Sequence, residues 1–182
     1  MSKNIGILIG SLRKDSFNRK VAENMREMFD KSNHCEFVDI TDLQLYNEDI
    51  DQGNPPASYS SYREKLSSFD AFLFFTPEYN RSIPAVLKNA LDVGSRPYGK
   101  SKWDGKPAGI ISVSPGAIGA FGANHHLRQC LTFLNMHPLQ QPEMYIGNVT
   151  QILDDKGKIN SEESIKLFKN FVSAFEKWID KF

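Results

Sequence analysis

Short unbroken apolar runs alternate along this chain with longer stretches in which apolar residues recur every three or four positions. Ile5 to Ile9 is a continuous apolar run closed by Gly10, as expected of a strand covered on both faces. Phe17, Val21, Met25 and Met28 then share one face of a predicted helix. Glu36 to Ile40 reads as a second strand. Tyr46 to Ser60, interrupted by Gly53, Pro55 and Pro56, reads as a long connection over the sheet surface. Ala71 to Thr76 is the most apolar strand candidate, and Pro77 stops it. Ser82 is the predicted N-cap of the next helix, with Pro84 in its first turn and Val86, Leu87, Ala90 and Leu91 as its stripe. Ala108 to Ser114 is a fourth strand, followed by a glycine-rich loop from Pro115 to Gly122 and a helix to about Leu134. Glu143 to Ile146 is a short fifth strand. Asn160 and Glu163 resemble a capping box before a last helix striped by Ile165, Phe168, Val172, Phe175 and Ile179.

Five strands alternating with helices predict an α/β fold, a doubly wound parallel sheet with helices on both faces. For five strands the order 2-1-3-4-5 is favoured, and its ligand crevice opens between strands one and three at their carboxyl ends. The chemistry is then expected in the loops after strands one and three, with help from strand four. At 182 residues, without repeats or low-complexity tracts, residues 1–182 are expected to form one domain.

Charge narrows the function classes. Lys plus Arg and Asp plus Glu both number 22, so no broad basic field exists to hold nucleic acid. The apolar run before Ser11 is too short for a signal peptide or a membrane span, which leads to the expectation of a cytoplasmic protein with no membrane partner. Two cysteines, Cys35 and Cys130, make no disulfide framework and read as reduced structural thiols.

Two loops carry the candidate chemistry. Gly10 to Asn18 joins an apolar strand to an amphipathic helix, so the unsatisfied N–H groups of the first helical turn face an incoming anion. Ser11, Ser16 and Asn18 add side-chain donors, and Arg13 adds a planar cation suited to phosphate oxygens. The spacing fits neither a P-loop nor G-x-G-x-x-G, and the loop holds no cysteine nucleophile. What remains is a phosphate-binding loop that does not hydrolyse, or an ordinary serine-capped helix start. The loop Thr76 to Pro84 mixes the Tyr79 ring, amide groups and rigid prolines, which suits a flat heteroaromatic ligand; the alternatives are simple surface packing for Tyr79 and a solvated carboxylate for Glu78. Asn80 there tolerates unusual backbone angles.

The segments GSLRKDSFN, TPEYNRSIPAVLKNALD and SVSPGAIGAFGANHHLRQ together resemble the NADPH-dependent FMN reductase family, over nearly the whole stretch from Ile5 to about Gly147. The resemblance implies a flavodoxin-like fold and non-covalent FMN. Ser11, Arg13, Ser16, Phe17 and Asn18 would surround its phosphate and ribityl chain. Pro77, Glu78, Tyr79 and Asn80 would border the isoalloxazine, and Ser114 to Gly119, including Gly116, would close its other side. It further implies NADPH or NADH as co-substrate, hydride transfer through flavin N5 to FMN, a quinone or another small acceptor, and a homodimer or homotetramer. No side chain is nominated as catalytic, because the flavin carries the chemistry.

The chain departs from that family's commonest pattern at Arg81, where many members have glycine or a smaller residue, and at Val93-Gly94, where an aromatic-containing pair is frequent. Arg81 and Arg96 are candidates for the nicotinamide cofactor's phosphates or for plain surface roles. Adjacent His125 and His126 point about 100° apart on a helix and make a poor metal pair, so no metal is expected. The rival functions are a flavodoxin-type electron carrier and a flavin-free binding module. The neutral charge disfavours the first.

Overall fold

The computed structural model describes residues 2–182. Its central sheet is parallel throughout, built from β1 (Asn4–Ile9), β2 (His34–Val38), β3 (Ala71–Thr76), β4 (Pro107–Val113), β5 (His137–Pro138) and β6 (Met144–Ile146). The order is β2-β1-β3-β4-β5, and β6 also pairs with β4. The 2-1-3-4-5 order read from the sequence is therefore observed, with one refinement: two short strands share the fifth position. β5 pairs with the start of β4 and β6 with its end, where Ser112 lies opposite Tyr145.

The helices are α1 (Phe17–Arg26), α2 (Glu48–Asp51), α3 (Ala57–Ser67), α4 (Ala85–Gly94), α5 (Phe121–Phe133), α6 (Val149–Ile152) and α7 (Glu162–Ile179). Period-two alternation divides the sheet between two cores. Ile5, Ile7, Ile9, Leu73, Phe75 and Ile111 face α1 and α7, meeting Val21, Met25, Phe168 and Phe175. Leu8, Phe72, Phe74 and Ile110 face α3, α4 and α5, meeting Leu66, Leu87 and Leu127. Phe72, Phe74 and Phe75 are fully buried, each burial contributing about 1.5–3 kcal/mol. Gly94 leaves the space that the indole of Trp103 fills, since an added Cβ would stand 2.6 Å from Trp103 Nε1. That indole donates to Leu91 O at 2.9 Å and packs edge-on against Phe72.

Three local expectations are corrected. The segment from Tyr46 to Ser60 is not a bare connection, because it contains α2 and the first turn of α3. The buried face of α3 carries Tyr59, Tyr62 and Arg63 as well as Leu66, so polar atoms mask its helical stripe. Ser82 does not cap α4; Pro84 occupies the N-cap position without a side-chain bond. The cap of α7 is Ser161, which accepts from Ser164 N at 3.3 Å, rather than Asn160.

β1 hands the chain to α1 on one face, whereas β3 hands it to α4 on the other. The loops after β1 and β3 consequently diverge, opening a crevice at the carboxyl ends of neighbouring strands.

Candidate functional site

Three loops meet at that crevice: Gly10 to Ser16 after β1, Pro77 to Pro84 after β3, and Ser114 to Ala120 after β4. Gly10 N donates to Phe75 O at 2.7 Å, tying the first loop to the end of β3. Asn18, in the first turn of α1, sends its Nδ2 toward Val113 O at the end of β4, a long bond of 3.5 Å. The start of α1 and the end of β4 are thus linked past β3, which lies between β1 and β4 in the sheet.

Ser16 is buried as the N-cap of α1, its Oγ accepting from Arg19 N at 3.3 Å and its own hydroxyl proton free to donate. From Ser11 to Asn18, among the described residues, no main-chain N–H makes a hydrogen bond of good geometry to a protein acceptor. A run of unspent donors at a helix N-terminus, with the exposed Arg13 guanidinium on the same loop, is suited to a phosphomonoester. Phe17 packs half-buried against the α1 core. Ser11 and Arg13 also line a cavity of about 410 Å³ with Arg19, Asp39 and Thr41.

The loop after β3 is a tight hairpin. Tyr79 and Ser82 exchange both main-chain bonds at 2.9 Å, and Asn80 and Arg81 between them have φ of 50° and 64°. Both central residues at positive φ make a type I′ geometry, which asparagine tolerates and arginine resists. The turn leaves Asn80 N unpaired and half-exposes the Tyr79 ring. Glu78 behaves differently from its neighbours. Its Oε2 accepts from Ala123 N at 3.0 Å, and Oε1 lies 3.3 Å from Arg81 Nη1. The carboxylate therefore caps α5, whose own N-cap residue, Ala120, is left-handed and has no side-chain oxygen. What Glu78 retains for a ligand is its main-chain N–H.

The loop after β4 is pinned from below. Ser112 Oγ donates to Gly119 O at 2.6 Å, and buried Asn124 supports Ser112 with a 3.2 Å bond. Gly119 has φ of 62°, and an added Cβ would stand 2.8 Å from the carbonyl carbon of Tyr145, so only glycine allows this close approach. Ser114 Oγ turns to Gly116 O at 3.0 Å, while the N–H groups of Gly116, Ala117 and Ile118 stay unpaired. Ser112, Asn124 and the β6 contact were invisible to sequence reasoning; each is a long-range partner with no local signal.

The adjacent histidines go separate ways: His126 Nδ1 lies 3.0 Å from Ser82 Oγ, and His125 Nε2 lies 3.1 Å from the Tyr145 hydroxyl. Among the described residues no group of three or more His, Cys, Asp or Glu side chains is placed to hold a metal. Cys35 and Cys130 are both free, and burial pushes the Cys35 thiol up to about 11, which keeps it protonated and inert. Arg81 is exposed beside Glu78, whereas Arg96 lies 5.9 Å over the Tyr46 ring.

A larger cavity, about 700 Å³, lies between α4 and α5 and touches the second loop only at Ser82 and Ile83. Size alone would favour it. The crevice remains the stronger cofactor-site candidate because unspent N–H donors stand on all three loops at the carboxyl ends of β1, β3 and β4.

Such a sheet, with unspent N–H donors on its first loop and two further loops at its switch point, has the architecture of a flavodoxin-like protein. The profile of the NADPH-dependent FMN reductase family matches residues 3–151. A quinone reductase from Pseudomonas putida is 50% identical over 175 residues, 96% of this chain and 94% of that protein. A 2-hydroxy-1,4-benzoquinone reductase from a Burkholderia species is 41% identical, covering 98% of this chain and 97% of that one. The solved structure of the flavoenzyme NAD(P)H:(acceptor) oxidoreductase FerB from Paracoccus denitrificans matches with a TM-score of 0.92 and 37% identity over 98% of each chain. This chain belongs to the NADPH-dependent FMN reductase family, and it is an FMN-dependent NAD(P)H oxidoreductase.

The residues present fit FMN on their own chemistry. Asn18 Oδ1 is buried with no hydrogen-bond partner, an arrangement that costs about 1–3 kcal/mol when left unsatisfied. A polyol hydroxyl would supply the missing donor, and the N–H groups from Ser11 to Asn18 would suit an adjoining phosphate.

Proposed function

We propose that this protein, folded as one domain, oxidises NADPH or NADH and passes the electrons through non-covalently held FMN to a quinone or a comparably small acceptor. The row of unspent N–H donors from Ser11 to Asn18, beside the orphaned Asn18 Oδ1, carries this reading. Ser11, Arg13, Ser16, Phe17 and Asn18 hold the phosphate and polyol. Pro77, Tyr79 and the main chain of Glu78 and Asn80 border the ring system on one side; Ser114, Gly116 and Gly119 border it on the other. Bound there, FMN supplies hydride acceptance and delivery, and the chain's own residues orient the partners and keep water from the reacting atoms. The Asn80 N–H stands free to hydrogen-bond the polar edge of the ring.

The protein also acts as a homodimer or homotetramer in the cytoplasm. The apolar cavity between α4 and α5, rimmed by Phe133 at 88% exposure, supports a self-association surface. No helix among the described residues is long and apolar enough to cross a membrane.

The purified protein is expected to be yellow, or to become so with added FMN. Anaerobic NADPH should bleach the visible band and 1,4-benzoquinone should restore it. Protein that binds FMN but is not bleached by either nicotinamide would be a carrier. Protein that takes up no FMN would be neither.

A further inference from the structure

Three aromatic rings stand together, partly in water, beside the third loop. Phe121 and His125 lie one turn apart on α5 with ring centroids 4.2 Å apart. Tyr145 lies 5.3 Å from Phe121 and 6.1 Å from His125, nearly parallel to the imidazole. Alternation on β6 explains its direction: Met144 and Ile146 are buried in the α1–α7 core, so Tyr145 points the other way. Its hydroxyl meets His125 Nε2 at 3.1 Å.

This cluster adjoins the three-loop crevice. Gly119 packs directly on the Tyr145 backbone, and the first turns of α5 are tied to the second loop through Glu78–Ala123 and Ser82–His126. Each loop also exposes an apolar side chain, with Leu12 at 52%, Tyr79 at 50% and Ile118 at 59%, and Phe121 beside them is at 51%. Exposed apolar groups concentrated at one mouth mark a surface built for a flat, poorly hydrated molecule.

We propose that Phe121 and the Tyr145–His125 pair form the acceptor subsite: a quinone lies against the Phe121 ring and takes a hydrogen bond, then a proton, from the Tyr145 hydroxyl. This rests on the oxidoreductase reading above and adds to it the residues that receive the acceptor. A quinone requires two electrons and two protons. Hydride brings both electrons and one proton, leaving one anionic oxygen. The second proton passes from Tyr145 O–H to that oxygen, Tyr145 recovers one from His125, and the exposed imidazole recovers one from water. Quinone, hydride and one proton thereby give the quinol. Burial, reinforced by the neighbouring Glu143 carboxylate, pushes the Tyr145 hydroxyl up to about 12, so it stays a neutral donor across the physiological range. The charged groups facing the pair are Glu143 and Arg128, which lie 3.7 Å apart.

The test compares holoenzymes carrying Tyr145→Phe or His125→Gln with two acceptors, 1,4-benzoquinone and ferricyanide, the latter taking electrons without protons. Quinone kcat should fall about tenfold or more, since general acids contribute roughly 10²–10⁴-fold, while ferricyanide reduction and FMN content hold. Hydroquinone added to the oxidised wild-type holoenzyme should shift the His125 ring nitrogen resonances, and Tyr145→Phe should abolish that shift. His125 is exposed, so its variant keeps the test valid even if Tyr145→Phe folds poorly. An unchanged quinone-to-ferricyanide ratio, or an equal fall in both at full FMN content, overturns the subsite alone. A wild-type holoenzyme inert toward both acceptors overturns the activity as well.

Discussion

Arg13→Ala is expected to weaken FMN binding by about 10- to 100-fold while leaving riboflavin affinity unchanged. Arg13 and Lys14 both stand exposed on the first loop with no ion pair among the described residues, and of the two only Arg13 has the planar fork that matches phosphate oxygens. Charge-assisted bonds of this kind contribute roughly 1.5–3 kcal/mol, and each 1.4 kcal/mol is a factor of ten in affinity. Riboflavin lacks the phosphate, so it isolates the anion contribution from ring stacking and polyol bonds. Because Arg13 is exposed, the wild-type advantage should shrink as salt rises toward 1 M, where the screening length is about 3 Å. Fluorescence titration of the apoprotein with each flavin reads both quantities. Equal losses for FMN and riboflavin would place Arg13 away from the phosphate.

The largest stability loss is expected at Asp51. Its carboxylate accepts two bonds of 2.7 Å from the Arg63 guanidinium, and both side chains are under 10% exposed. Arg63 also donates from Nε to Val93 O at 2.8 Å, so one guanidinium joins α2, α3 and the end of α4. Asp51→Ala leaves a buried cation without its partner, a change that costs about 3–5 kcal/mol. Asp92 offers the contrast. It pairs with Lys88 at 2.7 Å, but both are nearly half-exposed, and Asp92→Ala should cost at most about 1 kcal/mol. Urea unfolding of the three proteins gives the comparison. A loss at Asp51 no greater than that at Asp92 would mean that water reaches the Arg63 pair.

The elements most legible in the sequence were those whose burial is uniform. β1, β3 and β4 read as apolar runs because both faces of the sheet are covered, and the large apolar residues of α1 and α7 recur every three or four positions. α3 was missed because its buried side includes Arg63 and two tyrosine hydroxyls, which break the hydrophobic period without breaking the helix. The fifth sheet position was half-seen. β6 has a continuous apolar signal, whereas β5 is two residues long and its only strand partner among the described residues is β4. At the site, residue types near one another in sequence were readable: Ser16 and Asn18 at a helix start, and Asn80 in a left-handed turn. The capping of α5 by Glu78 and the bracing of Gly119 by Ser112 and Asn124 were not. Those bonds join different elements, and no local pattern encodes which elements meet. The same blindness hid the Tyr145–His125 pair, whose members lie 20 positions apart.

FMN titrated into ¹⁵N-labelled apoprotein, followed through the backbone amide resonances, tests the three-loop site most directly. The largest shifts should fall on Ser11 to Asn18, Glu78 to Asn80 and Gly116 to Ile118, at one FMN per chain. Stoichiometric binding with its shifts confined instead to Lys88, Gln129 and Phe133, along the cavity between α4 and α5, would contradict it.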